Sequence, residues 1–334
     1  MSAAQNHPPL PARLRRRWNR LVHEIYIDAQ PDYRAARLLA GSGRSGTTWI
    51  AEVLASDNFY RFMVEPFNCG RVPQCKPFAL RQYLRPEDDD PRFLAPARAI
   101  FSGRIRNDLI DCLTRPRVYK RRLIKDVRSN LMLTWMRRHF PDLPIVFMMR
   151  HPCAVAHSRV KLGWTTKLPE MFFAQPALMQ DFLAPFREHI ASARTGFEIH
   201  LFDWCVENYV PLMQLNKGDA YMLFYEHLCM DPRGEIERLC SYLGRPFDDA
   251  MLKAIDRPSS SPRTMAGRER PTAEELVCGW QAHVTSDEIR RAVDISGLFG
   301  LDRVYSQGPM PLVESALGIL NDPAATSQPL FQRP

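Results

Sequence analysis

The stretch Leu38-Leu39-Ala40-Gly41-Ser42-Gly43-Arg44-Ser45-Gly46-Thr47-Thr48-Trp49-Ile50 decides the fold. Apolar residues run into a turn of Gly and Ser, and a second apolar run, Trp49 to Leu54, follows at once. That pattern reads as strand, tight loop and helix N-terminus. Such a loop turns several backbone N–H groups toward one point, at the positive end of a helix dipole. It suits a phosphate or a phosphate-like anion.

The spacing resembles the P-loop, G-x-x-x-x-G-K-[ST], with one residue changed. Gly41 and Gly46 are in register and Thr48 stands where a magnesium-binding hydroxyl would be, but Thr47 occupies the lysine position. A nucleotide hydrolase without that lysine lacks its main neutraliser of the β- and γ-phosphates. Arg44, inside the loop, supplies a cation instead.

Outward from the loop, the chain reads as short apolar strands alternating with helices. Strands are expected at 36–40, 59–64, 121–127, 144–149 and 220–225, with helices at 47–55, 98–114, 131–140, 178–216 (two) and 235–243. Ser129 is expected to cap the helix at 131, and Pro152 suits the first turn of the helix after 149. Residues 70–97 read as an irregular insertion, and the chain after Pro309 as linker-like. This alternation predicts an α/β fold, a P-loop-like parallel sheet covered by helices on both faces.

The expected organisation is a basic N-terminal segment and helix over 1–34, one domain over 35–308 with an insertion near 66–97, and a tail over 309–334. In 12–27, Leu14, Trp18, Leu21, Val22 and Ile25 fall at helical spacing among Arg13, Arg15, Arg16, Arg17 and Arg20. The segment reads either as a surface helix packed on the domain or as a basic amphipathic helix touching an anionic membrane or polymer.

The 334 residues are 45% hydrophobic and 25% charged, the composition of a soluble globular chain, and carry a net charge of +8. A basic balance suits an anionic cofactor or acceptor. The Lys and Arg are dispersed, so no nucleic-acid partner is expected. The eight cysteines form no C-x-x-C pair and no metal-ligand spacing, so no metal is expected. Several lie in apolar runs and read as buried thiols, which fits a reducing compartment and a cytoplasmic location. No apolar run reaches the ~18 residues of a membrane span, and the N-terminus lacks an apolar signal core.

A second motif stands at the end of the fourth strand: Arg150-His151-Pro152-Cys153-Ala154-Val155-Ala156-His157-Ser158. Arg150 should point into the crevice beyond the strand ends. Ser158 falls about two turns into the following helix. Together they can clamp a phosphate, Arg as a charged fork and Ser as a neutral donor. Glu65 also follows a strand directly, before Pro66, and is placed like a functional carboxylate; the plain alternative is a salt bridge to an arginine. Lys125 is a further strand-end cation, or else a solvated strand end.

With these residues in place, the chain resembles PAPS-dependent sulfotransferases over about 36–300, in particular the Arg-Ser-Gly-Thr-Thr form of tyrosylprotein, carbohydrate and bacterial members. The resemblance implies a sulfotransferase fold and 3′-phosphoadenylyl sulfate (PAPS) as co-substrate. It implies loop residues Arg44, Ser45, Gly46, Thr47 and Thr48 around the 5′-phosphate, and Arg150 and Ser158 on the 3′-phosphate. Phe224-Tyr225-Glu226-His227-Leu228 resembles the family's Tyr-Glu-x-Leu segment, which implies a cofactor contact for Tyr225. Tyrosylprotein members place a catalytic Glu as far beyond their loop arginine as Glu65 stands beyond Arg44. Where the family often carries a proline, a lysine and a second arginine, this chain has Val127, Gly279 and Leu162.

The expected reaction is in-line sulfuryl transfer to a hydroxyl or amine, with Glu65 as base and Lys125 and Arg44 as cations. His151 and His157 are rival bases. The acceptor is a small molecule, saccharide, lipid or peptide, chosen by the insertions at 66–97 and 160–185. The other readings are a P-loop-type kinase or nucleoside phosphate transferase, which Thr47 argues against, and a non-catalytic anion-binding relative, which retention of all five charged and polar site residues argues against.

Overall fold

The computed structural model of the chain describes residues 26–115, 117–256 and 271–321. Its centre is a five-stranded parallel sheet of β1 (Ala36–Gly41), β2 (Arg61–Val64), β3 (Arg122–Asp126), β4 (Ile145–Met149) and β5 (Tyr221–Phe224), in the order β2-β3-β1-β4-β5. Leu38 pairs with Ile124 on one side and Ile145 on the other, which sets the register of the central three strands. β1 therefore lies in the middle, where the order of connections reverses between β3 and β4. In open α/β sheets the ligand crevice lies at such a reversal, outside the carboxyl ends of the strands.

Strand residues alternate between two apolar layers because successive side chains point to opposite faces. Leu38, Ala40, Ile124, Ile145 and Phe147 pack into one layer, against α3 (Leu133–His139), α4 (Pro152–Lys161) and α5 (Gly196–Gln214). Leu39, Leu123, Val146 and Met148 pack into the other, against α1 (Thr47–Leu54), α6 (Tyr225–Met230) and α7 (Pro232–Tyr242). Leu38 and Leu39 are both fully buried, each contributing about 2 kcal/mol of apolar burial. The fold is thus the α/β parallel sheet, helix-covered on both faces, that the strand and helix pattern predicts.

Several local expectations change. The helix expected over 98–114 is α2, Pro91–Phe101, and the chain beyond it is irregular. The acidic tract before it is not plain loop: Asp90 accepts from Arg92 N, and Pro91 fills the first turn, a start signal of its own. Ser129 does not cap α3. A 3₁₀ turn, Asn130–Met132, intervenes, and Ser129 Oγ is buried with no hydrogen-bond partner among the described residues. The first of the two helices expected over 178–216 is a broken series of short turns with Pro176 and Pro185 at successive starts. The second is α5, begun by a capping box between Thr195 and Glu198. The chain after Pro309 is irregular up to Asn321, yet Ala316 and Leu317 are buried in the core. Cys75, Cys153, Cys205 and Cys240 are buried thiols. Among the described residues no helix is long and apolar enough to cross a membrane. The basic helix expected over 12–27 lies outside the described residues, apart from its last two positions.

Candidate active site

All five strands deliver a candidate residue at the same edge of the sheet. β1 runs into the loop 42–46, β2 into Glu65, β3 ends with Lys125 and Asp126, β4 leads into Arg150, and β5 into Tyr225. Residues from all over the sequence meet there because parallel strands place all their carboxyl ends on one side.

The loop is held from below. Asn130 Oδ1 accepts from Gly41 N at 3.1 Å, and Asn208 Nδ2 donates to Ser42 Oγ at 3.2 Å. Gly46, at φ 92°, caps α1, and a Cβ there would lie 2.6 Å from the Tyr225 ring. Only glycine fits this turn and this contact. Arg44 also has a positive φ, 81°, and its Nε donates to Ser158 Oγ at 3.0 Å. The two sequence motifs therefore meet in space.

Arg150 stacks its guanidinium 4.0 Å above the Tyr225 ring. Its Nη1 donates to the Arg44 carbonyl at 3.2 Å. Its Nε, like Ser45 Oγ, is buried without a hydrogen-bond partner among the described residues. Buried donors without partners are uncommon, and here one lies within the loop and the other beside it. Thr47 and Thr48 open α1 beside them; Thr47 is buried.

Sequence reasoning missed Trp49. It is nearly buried, donates Nε1 to the Ile255 carbonyl at 3.2 Å, and packs 5.8 Å from Tyr225. It also lines a cavity of about 450 Å³ with Ile255, Thr272 and Leu276. Its position two residues past Thr47 was a usable signal: a ring in the first turn of α1 must lie beside whatever the loop holds.

On the other side of the loop, Glu65 sits at φ 49°, a conformation costly for a residue with a Cβ. Its N–H donates to the Lys125 carbonyl at 2.7 Å, and its Oε1 accepts from Lys125 Nζ at 2.6 Å. Its Oε2 pairs with Arg128. Burial alone would raise the pKa of Glu65, but Lys125 and Arg128 beside it bring it down to about 2. The alternative of a salt bridge is thus realised, though to a strand-end lysine as well as an arginine. Lys125 is only 4% exposed, so it is not a solvated strand end.

Asp126 organises this corner. It is fully buried and accepts from Phe67 N at 3.0 Å and from Arg128 N at 2.8 Å. Burial, with Glu65 nearby, pushes its pKa up to about 6. Arg128 went unread because it lies past the strand end, where only the fold reveals that its side chain turns back to Glu65. Glu65, Arg128 and Gly43 border a cavity of about 790 Å³, walled by Leu80, Trp164 and Met171. Both expected insertions contribute to it.

The rival bases are occupied elsewhere. His151 is fully buried, stacked 4.3 Å from Trp280, and accepts from Cys153 N through Nδ1. Burial lowers its pKa to about 4. His157 stacks on His283 at 5.1 Å, and burial, with His283 beside it, lowers its pKa also.

The sheet in this order, with a glycine-rich loop on β1 and cationic side chains at the strand ends around it, makes the molecule an α/β protein of P-loop-like architecture. The sequence model of the Sulfotransferase family matches residues 38–249, and the chain belongs to that family. It is 20% identical over 285 residues to the protein-tyrosine sulfotransferase of Drosophila melanogaster, covering 79% of this chain and 50% of that one. It is 28% identical over 135 residues to a putative protein-tyrosine sulfotransferase of Caenorhabditis elegans, covering 40% and 43%. The chain spans about half the length of these relatives. A mouse sulfotransferase complexed with PAP superposes at a TM-score of 0.41 with 14% identity, over 80% of this chain and 84% of that one.

Proposed function

We propose that the protein moves a sulfuryl group from PAPS to a hydroxyl or amine of an acceptor. The observation that carries this is the meeting of Arg44 with Ser158, 3.0 Å apart, beside Arg150 Nε and Ser45 Oγ, which have no hydrogen-bond partner among the described residues. A P-loop frame whose cation sits within the loop, next to a second phosphate-type clamp, suits a nucleotide carrying phosphates at two positions. The loop residues 44–48 would hold the 5′-phosphate; Arg150 and Ser158 the 3′-phosphate. Tyr225 supports Arg150 and closes the loop at Gly46, and Trp49 with its cavity suits the adenine.

Charge develops on the leaving oxygen and on the equatorial oxygens during such a transfer. Arg44 and the loop N–H groups stabilise the former; Lys125 is placed for the latter. Glu65, ionised down to about pH 2 in the resting protein, accepts the acceptor's proton. As Lys125 turns toward the sulfonate, Glu65 loses a cation and becomes more basic, which a base requires. The acceptor would enter the 790 Å³ cavity beside Glu65; small molecule, saccharide, lipid and peptide tyrosine are all chemically competent. The relatives' protein-tyrosine names favour a tyrosine among them. A cytoplasmic location remains part of this reading.

Thermal shift tests it. PAP without magnesium should raise the melting temperature, and Mg-ATP should not. Stabilisation by Mg-ATP alone would favour a kinase; no response to either would favour a relative that lost nucleotide binding.

A further inference from the structure

Beneath the 790 Å³ cavity lies a buried group of four charges that neither sequence motif contains. Arg159, next in sequence to Ser158, is fully buried on α4. It pairs with Asp203 at 2.9 Å and Glu207 at 2.7 Å, one turn apart on α5. Its Nε and Nη2 both donate to the Gly43 carbonyl, at 3.2 and 3.0 Å. Arg81, from the insertion, enters from the opposite side. It pairs with Asp203 at 3.1 Å and with Glu207, and its Nη1 lies 3.1 Å from Met171 Sδ.

The two guanidiniums balance the two carboxylates, which a buried set must do to be tolerated. Yet such a set is seldom more stabilising than apolar packing, so its placement asks for a reason. That placement is specific. One end grips Gly43, the residue before Arg44. The other end grips the tip of the segment 79–83, one wall of the cavity. Arg81 holds that tip at φ 55°, a strained conformation for a side-chain-bearing residue. Gln175 fastens the same tip twice, donating to the Arg81 carbonyl at 3.0 Å and accepting from Tyr83 N at 2.8 Å. Backbone strain works against the held conformation, so the tip depends on the ion pairs and on Gln175 to stay in place.

We infer that Arg159, Asp203, Glu207 and Arg81 form a positioning relay, which couples anion binding on the loop at Gly43–Arg44 to the closed state of segment 79–83 over the acceptor cavity. It rests on the cofactor reading above. Anion binding at Arg44 and Ser158 favours the state in which Gly43 and Arg159 are joined. Arg159 then fixes the two carboxylates, and they hold Arg81. The acceptor wall is thereby firm when the donor is bound. By reciprocity, firming the wall tightens the loop's grip by the same factor.

The test is amide hydrogen exchange of the full chain, with and without saturating PAP, which has no sulfonate to reach the acceptor side. In the wild type, PAP should slow exchange across 79–83 by about fivefold or more, the lower range of such couplings. The charge-balanced double variant Arg81→Gln/Asp203→Asn keeps Arg159 with Glu207 and unties the tip. It should still bind PAP, weakened by no more than the coupling factor, with the PAP-dependent protection of 79–83 gone. Arg81→Lys should restore part of that protection, which a merely structural role would not predict. PAP binding that leaves 79–83 unchanged in the wild type, or equally protected in the double variant, would overturn the relay alone. Should the double variant not fold, the wild-type comparison decides by itself. Failure of PAP to bind the wild type would remove the cofactor reading and the relay together.

Discussion

The two halves of the crevice are built in opposite ways. The proposed donor half, around 42–48 and Arg150, has ordinary hydrogen bonds from Arg44 to Ser158 and from Arg150 to the Arg44 carbonyl, and two buried polar atoms, Arg150 Nε and Ser45 Oγ, without partners among the described residues. The acceptor half is dominated by internal ion pairs, Glu65 with Lys125 and Arg128 and Arg81 with Asp203 and Glu207, although Asp203 Oδ1 has no hydrogen-bond partner among the described residues. A half with unmet donors is ready for an anion and needs little movement to take one. A half whose charges are already paired with each other must exchange partners to act. On the proposed reading the donor site is therefore preorganised, while Glu65, the proposed base, is tied up by Lys125 and Arg128.

The sharpest way to break this contrast is to damage the preorganised half. Gly46→Ala forces a Cβ to within 2.6 Å of the Tyr225 ring, from a φ of 92°. Turnover, read as PAP released from PAPS, should fall on the order of 10³-fold as the loop N–H groups lose their aim. Full activity in this variant would show that no phosphate rests on the loop.

Next in size is Glu65→Gln, which keeps shape but removes the proposed base. Turnover should fall roughly 10²-fold, with PAP affinity nearly unchanged, because Glu65 belongs to the other half. Near-normal turnover in a folded, PAP-binding variant would move the base to another residue.

Arg150→Ala sharpens the comparison from the donor side. It should weaken PAP by about 2 kcal/mol, roughly 30-fold, measured by calorimetry. Adenosine phosphosulfate, without a 3′-phosphate, should weaken far less. An equal loss for both ligands would detach Arg150 from that phosphate.

The smallest effect is a shift of pH profile. The Glu65 pKa is depressed, from 4.5 to about 2. Its ionised form, and the stability its pairing contributes, are complete above 4.5 and lost as pH falls toward 2. The wild type should thus show no Glu65 limb in turnover above about pH 4. Lys125→Met removes one of its two cations, so the limb should move upward into the measurable range, whatever the absolute rate. An unmoved profile would mean that Lys125 does not hold Glu65 in solution.

Much of the donor half was readable before the structure because its signals are local. Gly41, Gly46 and Thr48 lie within one turn and its helix, and Arg150 and Ser158 within one strand end and two turns. Glu65 and Lys125 were readable as strand ends. The mistaken elements were also local: Ser129 competed with Asn130, whose side chain the fold uses for Gly41, and α2 began at Asp90–Pro91 inside what read as loop.

The sequence by itself determined the strands, the phosphate-type loop and the set of residues at the strand ends, since each depends on neighbours in the chain and on the period of apolar residues. Only the tertiary structure decided partners. It placed β1 between β3 and β4, brought Arg44 to Ser158, turned Arg128 back to Glu65, and joined Arg81 to Asp203 and Glu207. The physical reason is range. Helix, strand and turn preferences are settled within a few residues, whereas an ion pair is settled by which elements pack together. A charge buried by that packing takes the opposite charge that the same packing brings within reach, however far apart the two stand in the chain.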